Sequence, residues 1–404
     1  MKLMFYEISI IILLVIFQGG KMNSIRAGKY IDVNKGIASY KAYKPNPLPP
    51  YPELEVDEEI VSLLSLAHNQ IGKLDAMSSL IPDIDLFISS YVRKEALLSS
   101  QIEGTQATLE DIFNHDIGAS VNLDVNDVVN YAEALTYAID RLNHLPICNR
   151  LLCETHKVLL NNCRGNEKNP GEFRNSQNWI GAANSNIKNA RYIPPTVDDM
   201  KDALSDLEKF INNYEMNILL KTALVHYQFE TIHPFLDGNG RIGRMLIILM
   251  LISNGILKKP ILYLSLFLKT NQIEYYDRLS EVRKNGNYEQ WIKFFLQGIN
   301  ETCIDSINMI ENMDILIKKD NEKVKNKNEA INRVFNYLKK HPIINIVVTS
   351  NELGLSYNTT SNAVKDLIEL NILKETSTKS RNRIFEYVEY VDILKAGIQS
   401  RDIK

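Results

Sequence analysis

The chain has little sulphur chemistry to offer. Its four cysteines, Cys148, Cys153, Cys163 and Cys303, contain no CxxC spacing and are too few to staple 404 residues. Reduced thiols in a reducing compartment are therefore expected, with no disulfide framework and no cysteine-based zinc site. An excess of charge is also missing. Forty-six basic residues face 49 acidic ones, a net charge of −3, which excludes nucleic-acid binding by bulk charge. No apolar run reaches the ~20 residues of a membrane-spanning helix. The longest, Ile8 to Phe17 (ISIIILLVIF), has Glu7 at its front and no A-x-A-like cleavage site behind. Residues 1–21 have three readings: upstream sequence ahead of an initiator at Met22, a signal or anchor, or a buried helix. The first is preferred, with a cytoplasmic protein and no stable membrane association expected. The histidines at 68, 115, 144, 156, 226 and 341 show no metal-ligand spacing. With 45% hydrophobic and 24% charged residues, the composition is that of a globular chain and excludes collagen, coiled-coil rods and wholesale disorder. The length predicts two or three domains.

Residues 22–56 are rich in Gly, Pro, Tyr and Lys and predict an extended arm ending in Pro45-Asn-Pro-Leu-Pro-Pro50. Apolar residues at helical spacing then predict helices over about 57–80, 85–100, 126–144, 149–162, 197–213 and 215–232. Between the fourth and fifth lies a stretch from Pro170 to Pro195 with β character. Its apolar segments, Trp179-Ile-Gly-Ala-Ala183 and Arg191-Tyr-Ile193, flank an Asn/Ser turn and predict a hairpin. The segment 245–252 (MLIILMLI) is apolar all round and predicts a helix buried on every side. Further helices are expected at about 273–283 and 288–318, followed by a polar stretch over 318–328 that reads as a linker or an exposed helix end. Residues 329–395 then read as helix, turn, helix and two strand-like runs, 372–375 and 383–390, the order of a winged helix. From Lys325 to the end, 13 basic residues face 9 acidic ones. The unit is mildly basic.

The string His233-Pro-Phe-Leu-Asp-Gly-Asn-Gly-Arg-Ile-Gly-Arg244 carries chemistry. Pro234 disfavours α conformation at His233, so the preceding helix should end there. Gly238, Asn239 and Gly240 form a small loop that runs into the next helix, aiming backbone N–H groups at one spot with the positive end of the helix dipole behind them. Arg241 and Arg244 lie three residues apart in the first turns of that helix. Two cations there oppose the dipole at roughly 0.3–1 kcal/mol each, and a bound polyanion reverses the sign. The site reads as a di- or triphosphate cradle. Asp237 beside phosphates is a natural Mg²⁺ ligand, and a neutral His233 can take a proton from an incoming hydroxyl.

This string resembles the signature of the Fic family, HxFx(D/E)GNGRxxR, and matches every fixed position. The resemblance extends from about Arg26 to about residue 300. It implies a mainly α protein with a Fic-type helical core and a β-hairpin flap, to which the C-terminal winged helix is added. It also implies transfer of AMP from ATP to a Ser, Thr or Tyr hydroxyl of a target protein or of the chain itself. His233 is then the base and Asp237 the Mg²⁺ ligand. The stretch Gly238, Asn239, Gly240, Arg241, Ile242, Gly243, Arg244 holds the phosphates, and Phe235 anchors the loop. Tyr275 and Tyr276 resemble a tyrosine pair that lies near adenine in relatives. Residues Ile180, Gly181, Ala182 and Ala183 fall in the flap, which docks the target segment as an added strand. Arg174, in Pro-Gly-x-Phe-Arg, recurs near the flap as a structural or substrate-orienting residue.

A second string, Ser99-Ser-Gln-Ile-Glu103-Gly104, resembles the family's inhibitory motif (S/T)xxxE(G/N). It implies that Glu103 pairs with Arg244 and so prevents productive ATP binding. The expected division is 1–21 extension, 22–115 arm and inhibitory region, 116–317 catalytic core, 318–328 linker and 329–395 winged helix. An alternative from another class is a nucleotide-sensing DNA-binding regulator. It would use Asn358, Thr359, Thr360, Asn362 and Lys365, with Lys379, Arg381 and Arg383 on the wing. Winged helices also serve as protein-interaction and dimer modules, so a homodimer is a further reading of this unit. Removal of AMP, or transfer of another phosphate-containing group, would keep the fold and change the chemistry.

Overall fold

The computed structural model describes residues 26–80, 84–118, 123–182, 184–377 and 383–396. Residues 1–21, Ala183, Lys379 and Arg381, all singled out above, lie outside them.

The arm is not simply extended. Strands β1 (Gly28–Val33) and β2 (Tyr40–Pro45) pair antiparallel, Gly28 opposite Pro45. Alternation of Tyr, Lys and apolar residues was the available signal, masked by the neighbouring prolines. Gly28 is required at the pairing, because a Cβ there would come within 2.4 Å of the Lys44 carbonyl oxygen. The ribbon docks on the core through Tyr43 N, which donates to Ile193 O at 3.0 Å.

Eleven helices of the described residues follow: α1 (Glu58–Leu80), α2 (Ile84–Ile102), α3 (Leu109–Asp116), α4 (Leu123–Arg141), α5 (Asn149–Leu159), α6 (Val197–Asn213), α7 (Ile218–Ile232), α8 (Asn239–Ser253), α9 (Ser265–Thr270), α10 (Gln272–Asn285) and α11 (Tyr288–Val324). As its composition predicts, α8 is enclosed on all sides: Met245 through Leu251 are buried without exception. Helix α7 packs beside it and is buried from Leu219 to Ile232. The short α3 was not expected. Its signal is a capping box in which Thr108 Oγ1 accepts from Asp111 N and the Asp111 carboxylate accepts from Thr108 N.

The last unit comprises α12 (Glu329–Leu338), β3 (Ile343–Asn345), α13 (Ile346–Leu353), α14 (Tyr357–Glu369), β4 (Lys374–Glu375), β5 (Ile384–Glu386) and α15 (Val388–Lys395). Its sheet has the order β3-β5-β4, antiparallel throughout, consistent with a winged helix. Two expectations are corrected. The run 383–390 is strand only to Glu386 and then turns helical, burying Tyr390, Val391 and Leu394. Of the two readings of 318–328 the helix end holds and the linker does not, because α11 continues to Val324, and this end is only partly exposed. Its Asp320 is buried, accepts from Tyr387 Oη at 2.6 Å and is ion-paired with Lys323 Nζ at 2.6 Å. The unit also packs on the region around α2 and α3. Lys94 Nζ donates to Ala396 O at 2.9 Å, and Asn345 Nδ2 to Ile117 O at 3.1 Å. Burial pushes the Lys94 ammonium down to about 8. No described helix is long and apolar enough to cross a membrane, and the four cysteines are free thiols.

Candidate active site

Helix α7 ends where Pro234 requires. His233 is its C-cap, in the left-handed region at φ 50°, ψ 61°. Three groups hold this uncommon turn. Arg174 Nε and Asn178 Nδ2 each donate to His233 O at 3.1 Å, and Arg174 N donates to Pro234 O at 2.9 Å. Arg174 is 1% exposed and donates further to Pro195 O at 2.6 Å. Arg174 is therefore structural: it clamps the turn that presents the histidine. Burial pushes the His233 imidazole down to about 4, against the opposing pull of Glu103, so the ring is neutral at pH 7.

Phe235 anchors the loop as expected, stacking on His156 at 3.8 Å with an 8° interplanar angle. His156 Nε2 lies 3.0 Å from Asp237 O, and its Nδ1 accepts from Gly171 N. This histidine, which spacing alone left bland, buttresses the loop. Asn239 is likewise spent inside the loop: its Oδ1 accepts from Phe235 N at 2.7 Å and its Nδ2 donates to Phe235 O at 2.8 Å. Gly238, at φ 76°, turns the chain into α8. The helix therefore begins at Asn239 and offers its first N–H groups without intrahelical partners. Ile242 departs from the expected phosphate-binding stretch, since its N–H donates to Gly238 O at 3.0 Å and its side chain is buried core.

The acid and the two arginines have unequal surroundings. Asp237 is 39% exposed on its side chain. Oδ1 accepts from Gly238 N and, at 3.2 Å, from Arg241, while Oδ2 lies over Gly165, where a Cβ would approach to 2.8 Å. One accessible carboxylate oxygen suits Mg²⁺ that keeps its waters and phosphate ligands. Among the described residues no cluster of three or more His, Cys, Asp or Glu forms a protein cage. Arg241 is enclosed between Asp237 and Asp127, the latter 3.9 Å from it and 2.7 Å from Arg164.

Arg244 meets the second motif. Its Nε donates to Ser99 Oγ at 2.8 Å, and its NH2 donates to Ser99 O at 2.9 Å and to Glu103 Oε1 at 2.7 Å. Gly104, at φ 96°, turns the chain just beyond α2. Gly240 is needed for the approach, because a Cβ there would lie 2.2 Å from Glu103 Oε1. Burial pushes the Glu103 carboxyl up, but the Arg244 guanidinium outweighs it and holds the group below its ordinary value.

Beside this pair opens a cavity of about 440 Å³ lined by Glu103, Glu230, Tyr276, Leu279, Arg283, Arg191 and the flap residues Ile180 to Ala182. The tyrosine expectation is corrected for one member. Tyr275 is buried with its hydroxyl 2.8 Å from His226 Nε2, and only Tyr276 faces the cavity. The flap hairpin is reduced to one antiparallel bridge: Ile180 and Tyr192 exchange hydrogen bonds of 2.8 and 3.1 Å. Arg191 ties the flap to α10 through Asp277 at 3.0 Å. Sequence reasoning passed over Glu230, Arg283, Asn178 and Asp127, which stand singly and form no spacing pattern.

Residues 61–140 match the Fic/DOC family N-terminal region, and residues 146–251 match the Fic/DOC family. A 135-residue stretch, 33% of this chain, is 30% identical to the protein adenylyltransferase Fic of Culex quinquefasciatus and covers 24% of it. Another of 202 residues, 49% of the chain, is 26% identical to that of Drosophila grimshawi and covers 38% of it. The chain thus spans well under half the length of these curated relatives. In fold it is similar to a crystal structure of a Fic family protein from Desulfovibrio desulfuricans G20, with a TM-score of 0.54 and 20% identity over 83% of this chain and 97% of that one. Across residues 61–251, which include the whole of the 233–244 string, the chain is thus similar to the Fic/DOC family.

Proposed function

We propose that this chain is a protein adenylyltransferase held in check by Glu103. A target hydroxyl would attack the α-phosphorus of ATP, forming the new P–O bond as the bond to the β-phosphate oxygen breaks and pyrophosphate leaves. The hydroxyl proton would go to His233, which burial keeps neutral and ready to accept it. The free N–H groups at the start of α8 and Arg244 would hold the phosphates, and Arg241 would neutralise charge from behind the loop. Asp237 would hold Mg²⁺, whose charge would offset that of the phosphates.

The observation that carries this reading is the 2.7 Å bond between Glu103 and Arg244 at the mouth of the cradle. An arginine bound by a carboxylate is not free for a γ-phosphate. The test is incubation of the full chain with labelled ATP and Mg²⁺. Glu103→Gly should incorporate label into itself and into added protein well above wild type, and Arg244→Ala in that background should remove the gain. If Glu103→Gly leaves transfer unchanged while Arg244 remains essential, inhibition by this contact is excluded.

A further inference from the structure

Glu230 carries a buried carboxyl that burial pushes up to about 7, with the Arg244 guanidinium pulling the other way. It is 8% exposed, and its Oε1 is buried without a hydrogen-bond partner. Its Oε2 lies 3.9 Å from His233 Nδ1, too far for a hydrogen bond. The sequence makes room for it at the crossing of α7 and α8. A Cβ on Gly243 would lie 2.2 Å from Oε1, so only glycine lets the carboxyl settle there. An acceptor enclosed in this way and left unmade is costly unless a ligand supplies donors.

The cavity that Glu230 lines indicates which donors. Glu230 stands one helical turn before His233, so it flanks the atom at which the reaction occurs. Across from it, α10 presents Tyr276, Leu279 and Arg283 at i, i+3 and i+7, one face of two turns. Arg283 lies 4.0 Å above the Tyr192 ring and its Nε has no partner. In a nucleotide the sugar follows the α-phosphate and the base follows the sugar. The residue beside His233 therefore meets the sugar, while the aromatic and guanidinium wall of α10 is left for the base. A ribose carries two vicinal O–H donors, and a carboxylate is an acceptor only, a match used by acidic residues in other nucleotide sites.

We propose that Glu230 is a specificity-determining residue that accepts hydrogen bonds from the ribose 2′- and 3′-hydroxyls of the nucleotide. This rests on the adenylyltransferase reading above. Glu230 selects ribonucleotides over deoxyribonucleotides, and Gly243 is there to admit it.

The experiment is calorimetric titration of the full chain carrying Glu103→Gly with Mg²⁺ and ATP, 2′-deoxyATP, 3′-deoxyATP or 2′,3′-dideoxyATP. At pH 8.5, where a carboxyl raised to about 7 is ionised, loss of hydrogen bonds to a buried charged acceptor should weaken dideoxyATP by roughly tenfold or more relative to ATP. Adding Glu230→Val should bring that ratio close to one, and Glu230→Gln, which retains one carbonyl acceptor, should give an intermediate ratio. Equal binding of ATP and dideoxyATP by the parent overturns the assignment without any further variant, as does an undiminished ratio in a folded Glu230→Val. Binding of ATP without sugar discrimination sinks this inference alone. Failure of every nucleotide to bind the folded parent sinks the cradle reading with it.

Discussion

Glu103 and Arg244, 141 positions apart, form an ion pair whose two ends are unequally enclosed: the guanidinium is 2% exposed and the carboxylate 37%. The arginine is fixed by Ser99 as well, whereas the glutamate sits at the edge with solvent beside it. Any exchange of partners at Arg244 is therefore made by the glutamate leaving. A phosphate can take its place without moving the arginine.

Glu103→Gly should accordingly cost the nucleotide-free protein only about 1–2 kcal/mol, because the lost bond is charged but a third exposed. Chemical denaturation measures this. MgATP should raise the melting temperature of the variant more than that of wild type, since ligand binding to the folded state adds stability. Equal shifts would show that the carboxylate does not compete with phosphate.

In the Glu103→Gly background, His233→Ala should slow transfer by about 10²–10⁴ while leaving ATP affinity nearly unchanged. The pH profile of the parent checks the same group. With its folded value near 4, the imidazole stays neutral on acidification from pH 8 to 6, so the rate should not fall near 6.5. A limb at 6.5 would mean that the ring is not buried as found.

Gly165→Ala should act on the Mg²⁺ site proposed at Asp237. The residue has φ 89° and its new Cβ would press on Asp237 Oδ2. A loss of about 1 kcal/mol in stability is expected from the left-handed backbone. The Mg²⁺ concentration giving half-maximal transfer should rise several-fold, with metal-free ATP binding unaltered. A merely structural effect would leave the magnesium curve where it was.

Glu95 offers a pH test away from the site. It is buried, accepts from Ser265 Oγ and Tyr131 Oη, and burial pushes it up to about 7. A carboxyl raised in the folded state binds its proton more tightly there than in the unfolded chain. Its contribution is therefore present below about 4.5 and lost as pH rises towards 7. Relative to wild type, Glu95→Gln should gain in melting temperature across that window and level off above it.

The legible parts of the site were those written as a local string. Pro234 announces the helix end at His233, and Gly238-Asn-Gly240 announces the loop, because each acts on its own backbone. The Glu103–Arg244 contact was legible only through the family resemblance, since nothing local in α2 points at α8. What stayed hidden is chemistry created by packing. Tyr275 and Tyr276 are adjacent and alike in sequence, yet a helix sends one into the core and one into the cavity. Glu230 has no motif partner, and its meaning depends on Gly243 across a helix crossing. The polar composition of 318–328 left a linker and an exposed helix end undecided, because its buried positions, Asp320 and Val324, are only two among many charged neighbours.

Helix α11 runs unbroken for 37 residues, about 55 Å, from the core beside α10 to the C-terminal unit. Hinges need a few residues free to change φ and ψ, and none intervenes along this span. With Asp320, Lys94 and Asn345 bonded across the junction, the exposed face of α14 has a set bearing on the His233 pocket. Were macromolecules bound at both ends, each would be held at a determined distance and angle from the other, as between the jaws of a caliper rather than on two beads of a string.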